Sequence, residues 1–538
     1  MKKLIVLTLF GLLIVSFSTT GYAQKLEFKA SGFIDAQTYW GENVPVRNTS
    51  ATIFQVTHKD FAFTKVPLPP NLKDKALDKS FAYMDSRARL KFDAIMGKDL
   101  SGTIYFEIDA ARWGDSPGGN LTRASERNTV GVWSTDRAAV EVKNVYIDVG
   151  LPYFGIPVPV TVRIGAQPIG VRPQMFLYTD GAGIMGGIRI DPVTIIPMWG
   201  KILEGSDWAS DDADMYGLHV NAKIGSFVIG GYGLYYNMNT YPLFYPTGVN
   251  FTSLTGSTST FTGSSSYGPI INGTQQADIW WFGAYADGKA GPVNINFDFV
   301  YDYGDVKQKQ VTYGVYTPKV KYQGWATRGK IDFPWEKFNF GVVGMYASGA
   351  DANKTSTKGL SGDPVANPAA APALSSKVGS YVVPPGSEHD TNNNESVVFH
   401  GTDIGASGGI GVAKNANYYQ MCRGGFGGTW FAKLYASVKL TPWYKATLQG
   451  LYIGDTTKNG NTLGTAVKPG TTTLRDDNDI GFELDLINEL EIYKNLKLTF
   501  GGGYLWAGDA LDIKRGTLNA NYSPKNPWAV RTRLMYTF

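Results

Sequence analysis

Tight turns and long loops alternate along almost the whole chain, and that rhythm constrains the fold more than any single motif. Short connections stand at Gly97-Lys98-Asp99, Asp191-Pro192, Gly225-Ser226, Lys289-Ala290-Gly291, Thr441-Pro442 and Tyr493-Lys494. Long ones stand at 41–80, 114–137, 241–275, 348–425, 455–477 and 508–526. The segments between them alternate apolar and polar residues at period two, the mark of strands with two unlike faces. About 18 such segments fit, from Leu26–Trp40 to Pro527–Phe538, with 16 as the alternative count. Each is near or above the roughly 9–11 residues that cross a bilayer at a tilt. An even number of strands, short turns on one rim and long loops on the other predict an all-β fold, a transmembrane antiparallel β-barrel. A soluble propeller would repeat a four-strand unit with similar loops, and no such repeat occurs.

The amino-terminus agrees. Lys2 and Lys3 precede an apolar run from Leu4 to Phe17, and Gly21-Tyr22-Ala23 follows. A charged start, a short apolar stretch and small residues at the two positions a signal peptidase reads predict a signal peptide over 1–23, cut after Ala23. The competing reading is an uncleaved anchor helix, for which the apolar run is short. No Cys follows the cut, so no lipid anchor is expected. The barrel then occupies 24–538, with a long loop insertion at 348–425.

Composition bounds the remaining classes. No run of about 18 apolar residues follows the signal, so no transmembrane helix is expected. Tyr 31, Phe 28, Trp 13 and Gly 64 are many; a barrel wall hides its apolar face in alternation, so mean hydropathy stays ordinary. Removing Lys2 and Lys3 takes the formal charge from +4 to +2, too balanced to call for nucleic acid. The single Cys422 excludes an internal disulfide and any paired-Cys metal or haem motif. No cofactor is expected.

Period two also assigns faces. Ile104, Phe106 and Ile108 are expected outside, leaving Thr103, Tyr105, Glu107 and Asp109 inside. Met84, Ala88, Leu90 and Phe92 go outside, leaving Asp85, Arg87, Arg89, Lys91 and Asp93 inside. Val160, Val162 and Ile164 go outside, with Thr161, Arg163 and Gln167 inside. Lys433, Ser437, Lys439, Glu483, Asp485, Lys497, Arg531 and Arg533 join the inner face by the same rule. A lipid-facing Arg or Lys near the midplane costs about 2–4 kcal/mol, which demands inward placement. Tyr153, Phe154, Trp335, Trp443 and Tyr493 sit near tight turns, as an interfacial aromatic girdle does. So many inward charges predict a wet interior, and about 16–18 strands leave an aqueous channel.

The last strand, Trp528–Phe538, puts Val530, Leu534, Tyr536 and Phe538 on one face and Arg531, Arg533 and Thr537 on the other. It resembles the terminal strand of Gram-negative outer-membrane β-barrels, although Thr532 takes an expected apolar position. That resemblance implies that Tyr536 and Phe538 serve as an assembly signal read by the barrel assembly machinery. With the signal peptide and the loop alternation, the mature chain is similar to the Gram-negative porin superfamily. The strand count is closer to the substrate-selective porins and the alginate exporter than to 16-strand general porins. The resemblance implies the cell outer membrane, contact with lipid and lipopolysaccharide, and passage of ions or small hydrophilic solutes; a homotrimer is one assembly open to it. No motif carries over a named family's substrate residues.

Arg87, Arg89 and Lys91 form a basic ladder opposite Glu107 and Asp109. Such walls can set ion selectivity, or the charges can merely pair. Arg163, Arg531 and Arg533 favour a weak anion preference, whereas Glu483, Asp485, Glu489 and Glu491 oppose it. A constriction is expected from 170–182, with Arg172, Pro173, Met175 and Asp180, or from the insertion at 348–425, which is expected to fold partly inward. Gly405-Ala406-Ser407-Gly408-Gly409 matches a nucleophile elbow literally but lies in a polar loop, without the strand and helix such an elbow needs. His58, His219, His389 and His400 form no H-E-x-x-H pair, so an enzyme is not expected. Asp207, Asp211, Asp212 and Asp214, or Asp476, Asp477 and Asp479, could ligate calcium, but solvated loop charge is the simpler reading, and no metal is expected. A last alternative is a sheath around, or a dock for, a cytochrome conduit or exporter.

Overall fold

A computed structural model describes residues 25–43, 80–113, 140–151, 159–204, 212–239, 275–308, 319–349, 377–384, 395–401, 426–464, 466–471, 473–515 and 520–538, with short pieces at 129–130, 242–243, 250–252, 258–260, 270–271, 351 and 387. Ala23, Tyr153, Phe154, the loop 405–411, Cys422 and the side chain of Asp109 lie outside the described residues.

Eighteen strands form one antiparallel sheet closed on itself. They are β1 (Leu26–Glu42), β2 (Ser80–Met96), β3 (Leu100–Trp113), β4 (Glu141–Gly150), β5 (Val160–Val171), β6 (Leu177–Ile190), β7 (Val193–Leu203), β8 (Ala213–Ile224) and β9 (Phe227–Met238). The second half holds β10 (Gln275–Ala290), β11 (Val293–Gln308), β12 (Trp325–Trp335), β13 (Phe338–Ala347), β14 (Thr429–Thr441), β15 (Tyr444–Asp455), β16 (Asp479–Tyr493), β17 (Leu496–Ala507) and β18 (Trp528–Thr537). Each strand pairs with the next in sequence, and β18 returns to β1 with Tyr536 opposite Ile34. Among the described residues these eighteen strands leave no open sheet edge, so wall backbone bonds to neighbouring strands, as lipid requires. At the seam Gly32 N–H donates to the Phe538 carbonyl (2.9 Å) and Phe538 N–H to the Gly32 carbonyl (3.0 Å). A Cβ at Gly32 would fall 2.2 Å from the Arg89 carbonyl, so only glycine permits this close approach.

Exposed apolar side chains cover the outside, among them Ile34, Phe92, Ile104, Ile147, Leu218, Phe297, Leu434 and Leu486. Trp335, Trp443 and Tyr493 are exposed beside the tight turns. At the loop end, Trp325 stacks on Tyr346 (4.9 Å) and Tyr235 on Trp280 (4.4 Å). Two aromatic belts around an apolar band match the two interfaces of a bilayer.

Two boundaries differ from expectation. The segment 170–182 is no long loop: β5 runs to Val171 and β6 starts at Leu177, leaving a short turn at 172–176. Gly181 and Gly183 dilute the alternation in the first half of β6. Ahead of β13 a strand is interrupted where period two runs on: Lys319–Tyr322 and β12 are separate. The break at Gly324 has a cause, because an interior segment passes there: a Cβ on Gly324 would lie 2.3 Å from the Ser380 carbonyl.

The larger correction concerns the interior. Charge does not line all of it. Inward side chains of β8–β17, such as Met215, Leu234, Trp281, Val300, Val343, Phe431, Leu451 and Leu505, are buried in a continuous apolar cluster. The reason is that parts of the long insertion fold inside: Ser380–Val383 and Glu395–His400 are almost completely buried. The expected partial infolding of 348–425 is therefore present, and it replaces water along that side.

Candidate functional site: a half-filled lumen

The inner faces of β1–β5 and β18 carry the charge that period two placed there. Asp35, Asp85, Arg87, Glu107, Gln167 and Arg531 face inward and are buried, while Arg89, Lys91, Arg163 and Arg533 keep part of their surface open. Glu107 gathers three cations: Arg89 Nε at 2.5 Å, Lys143 Nζ at 2.9 Å and Arg87 Nε at 3.5 Å. Lys143 also reaches Asp180 at 2.7 Å. Lys91 pairs with Asp93 (3.0 Å), Arg163 with Asp148 (2.7 Å) and Arg533 with Asp35 (2.6 Å). The basic ladder is thus a paired network, which tempers its field in the lumen. Guanidiniums also lie over rings, Arg163 over Tyr146 (4.2 Å) and Arg89 over Phe33 (5.6 Å).

Lys433, Glu483 and Asp485 also face the interior, but beneath infolded chain rather than on open water; Arg531 lies over the Tyr39 ring (5.7 Å). Glu483 accepts the N–H groups of Val398 (2.6 Å) and Phe399 (2.8 Å), and Asp485 that of Val397 (3.1 Å). Lys433 donates to the Glu395 carbonyl (3.0 Å) and ion-pairs with its carboxylate (2.7 Å). Arg328 reaches the same carboxylate at 2.6 Å. Burial would raise the Glu395 pKa, but Lys433 and Arg328 outweigh it and hold the group well below the usual carboxylate range. Nearby, Asp302 accepts N–H groups from Gly324 (2.8 Å) and Val382 (3.1 Å), and Trp281 donates to the Val382 carbonyl (2.8 Å). Lys439 stands exposed near its tight turn. Lys445, Glu489 and Lys497 form a separate cluster on the inner face of β15–β17.

The turn at 172–176 completes the filling. Phe176 is fully buried, stacked on Tyr232 (5.0 Å), and Tyr381 Oη donates to the Met175 carbonyl (3.0 Å). Arg172 ion-pairs with Asp287 at 2.5 Å and with Asp298, and lies 4.2 Å over the Tyr285 ring. It clamps the β5–β6 tip to β10 and β11 across the interior. Both segments expected as constrictions therefore enter the lumen.

Sequence reasoning missed Lys143, Asp302, Arg328 and Glu395 as parts of this site. Asp302 and Arg328 lie on the inner phase of their strands and were legible by the period-two rule. Glu395 was not, since nothing in a polar loop marks one carboxylate as buried. Of the acidic clusters, Asp212 and Asp214 surround Lys201, and Asp477 holds Arg475. Among the described residues no group of His, Cys, Asp or Glu is arranged to hold a metal.

A closed ring of 18 strands, apolar outside between two aromatic belts, decides the class. The chain is an outer-membrane β-barrel. No family model matches its sequence, and no curated protein does. Solved structures similar to this barrel include OccK1 (OpdK) of Pseudomonas aeruginosa, at 7% identity and TM-score 0.44, covering 95% of this chain and 98% of that one. A BenF-like porin from Pseudomonas fluorescens Pf-5 gives 9% and 0.43 over 95% and 98%, and OmpT of Vibrio cholerae 9% and 0.35 over 97% and 99%. Values this low leave the fold to stand on the barrel's own register and exterior. Its place is the cell outer membrane, where closed barrels of this kind span the bilayer.

Proposed function

We propose that this barrel is a restricted channel for small hydrophilic solutes, with a passage along the charged inner wall of β1–β5. The observation that carries this reading is the division of the lumen among the described residues: one side is filled by chain fastened to the wall, and on the other Arg89, Lys91 and Arg163 keep part of their surface open. Eighteen strands enclose room for water, and fastened segments narrow that room without closing the barrel wall. The reading includes no catalytic step. A weak preference for anions is part of the proposal, supported by the three cations that share Glu107. Opposed pairs such as Arg163–Asp148 keep the preference small.

The test is single-channel recording in a planar bilayer. Discrete steps well below those of an unobstructed pore of similar strand number are expected, with a small reversal potential of anion sign under a salt gradient. Folded barrel that inserts and gives no steps would overturn the reading.

A further inference from the structure

The wall that holds residues 395–400 treats them as a ligand. Three consecutive main-chain N–H groups, those of Val397, Val398 and Phe399, are each accepted by Asp485 or Glu483. The Glu395 carbonyl is met by Lys433 (3.0 Å) and Gln449 (3.3 Å). These contacts read peptide backbone, and they come from β14, β15 and β16 alone. The side chains of Val397, Val398 and Phe399 are fully buried, and His400 packs edge-on against Phe426 (5.3 Å) and Phe431 (5.4 Å). At the head of the segment, the Glu395 carboxylate sits between Arg328 and Lys433.

The floor is shaped to match. Gly503 on β17 lies beneath the segment, and a Cβ there would fall 3.0 Å from Val397 and Val398 and 2.0 Å from Asp485 Oδ1. A bare wall position at the point of closest approach, with donors and acceptors in peptide spacing, describes a backbone-reading cradle.

We infer that this cradle is a binding site for short peptides that adopt a bend, acidic at the amino-terminal end and apolar after it, and that residues 395–400, whose own bend is closed by the His400 N–H on Ser396 Oγ (3.0 Å), are its resident, autoinhibitory occupant. The inference rests on the channel reading and names a solute class for it. A peptide that displaced the segment would keep every contact: two cations for its acid, two carboxylates for its amides and an apolar bed for its side chains. Polar solutes lacking consecutive amides would forfeit the N–H groups that Glu483 and Asp485 accept from the segment, which costs affinity.

The experiment replaces residues 395–400 of the full chain with a Gly/Ser hexapeptide and records in planar bilayers. Conductance is expected to rise several-fold. Adding the capped peptide Glu-Ser-Val-Val-Phe-His from the loop side should return it close to the native level at submillimolar concentration. A scrambled peptide should be at least tenfold weaker, and E483Q with D485N should weaken the native sequence by a similar factor. If the replacement fails to fold, Val398→Asp, which expels the segment and leaves the wall intact, takes its place. Open channels indifferent to millimolar peptide, or blocked equally by the scrambled one, overturn the inference and leave the channel reading standing. A folded variant that never conducts overturns the channel reading, and peptide binding followed by tryptophan fluorescence in detergent then decides the cradle alone.

Discussion

The two sides of the lumen use the same period-two wall for opposite ends. On β1–β5 the inward residues are charged and paired with neighbours on adjacent strands, as Arg89 is with Glu107. On β8–β17 many of the inward residues are apolar, and several of the charges there, Arg328, Lys433, Asp302 and Glu483 among them, are spent on infolded chain. A charge satisfied by its own wall leaves space for water. A charge satisfied by a loop removes it. Charge in a barrel interior is therefore no measure of openness until its partner is known.

The comparison breaks first at Glu395. Glu395→Gln leaves Arg328 and Lys433 buried without their carboxylate, and a lost partner in a buried pair costs about 3–5 kcal/mol. Chemical unfolding in lipid should show that loss, together with larger conductance. A loss below about 1 kcal/mol would mean that the segment is not latched there.

Arg172 stands on the border between the two sides. Arg172→Ala should cost about 2–3 kcal/mol, in the range of charge-assisted hydrogen bonds, and widen the passage by freeing the β5–β6 tip. Unchanged conductance in a destabilised barrel would show that this tip fills space away from the passage.

On the charged side the effects should be smaller. Arg89→Gln leaves Glu107 with Arg87 and Lys143 and should cost about 1 kcal/mol. Replacing Arg87, Arg89 and Lys91 together with Gln should move the reversal potential toward cations while conductance stays within about twofold, since strand number sets the width. No movement at all would mean that pairing cancels the ladder completely.

The smallest effect expected is that of mild acid. Glu395 titrates below an ordinary carboxylate, so its contribution is complete above pH about 4.3 and lost only as pH falls through its own lower value. Conductance and thiol accessibility of a Ser396→Cys variant should stay constant from pH 8 to 5. A rise in labelling within that window would show a latch weaker than the geometry implies.

The wall was legible because a strand states its two faces at every second residue. Thr103, Glu107, Arg163 and Gln167 were placed on the inner phase by that rule alone, and the exposed Ile104 marks the outer phase of β3. For Lys433, Glu483 and Asp485 period two gives a face but says nothing of the infolded chain they meet, since a loop's destination leaves no periodic trace. Ser396-Val397-Val398-Phe399 is a short apolar run in a polar stretch, and only the cavity it enters distinguishes it from exposed loop. The β5–β6 turn was missed for a related reason: glycines supply strand backbone without the side chains that announce it.

Gly503 has a consequence for how such barrels diverge. Its missing side chain is the imprint of a loop that lies far earlier in the chain, so the two must be inherited together. A related barrel that has lost both the segment and the Asp485 carboxylate beneath it is free to carry a larger residue at this place in β17, and one that keeps them is not. The residues at this position and at the place of Asp485, read together, should therefore report, in any relative, whether the lumen beside them is occupied.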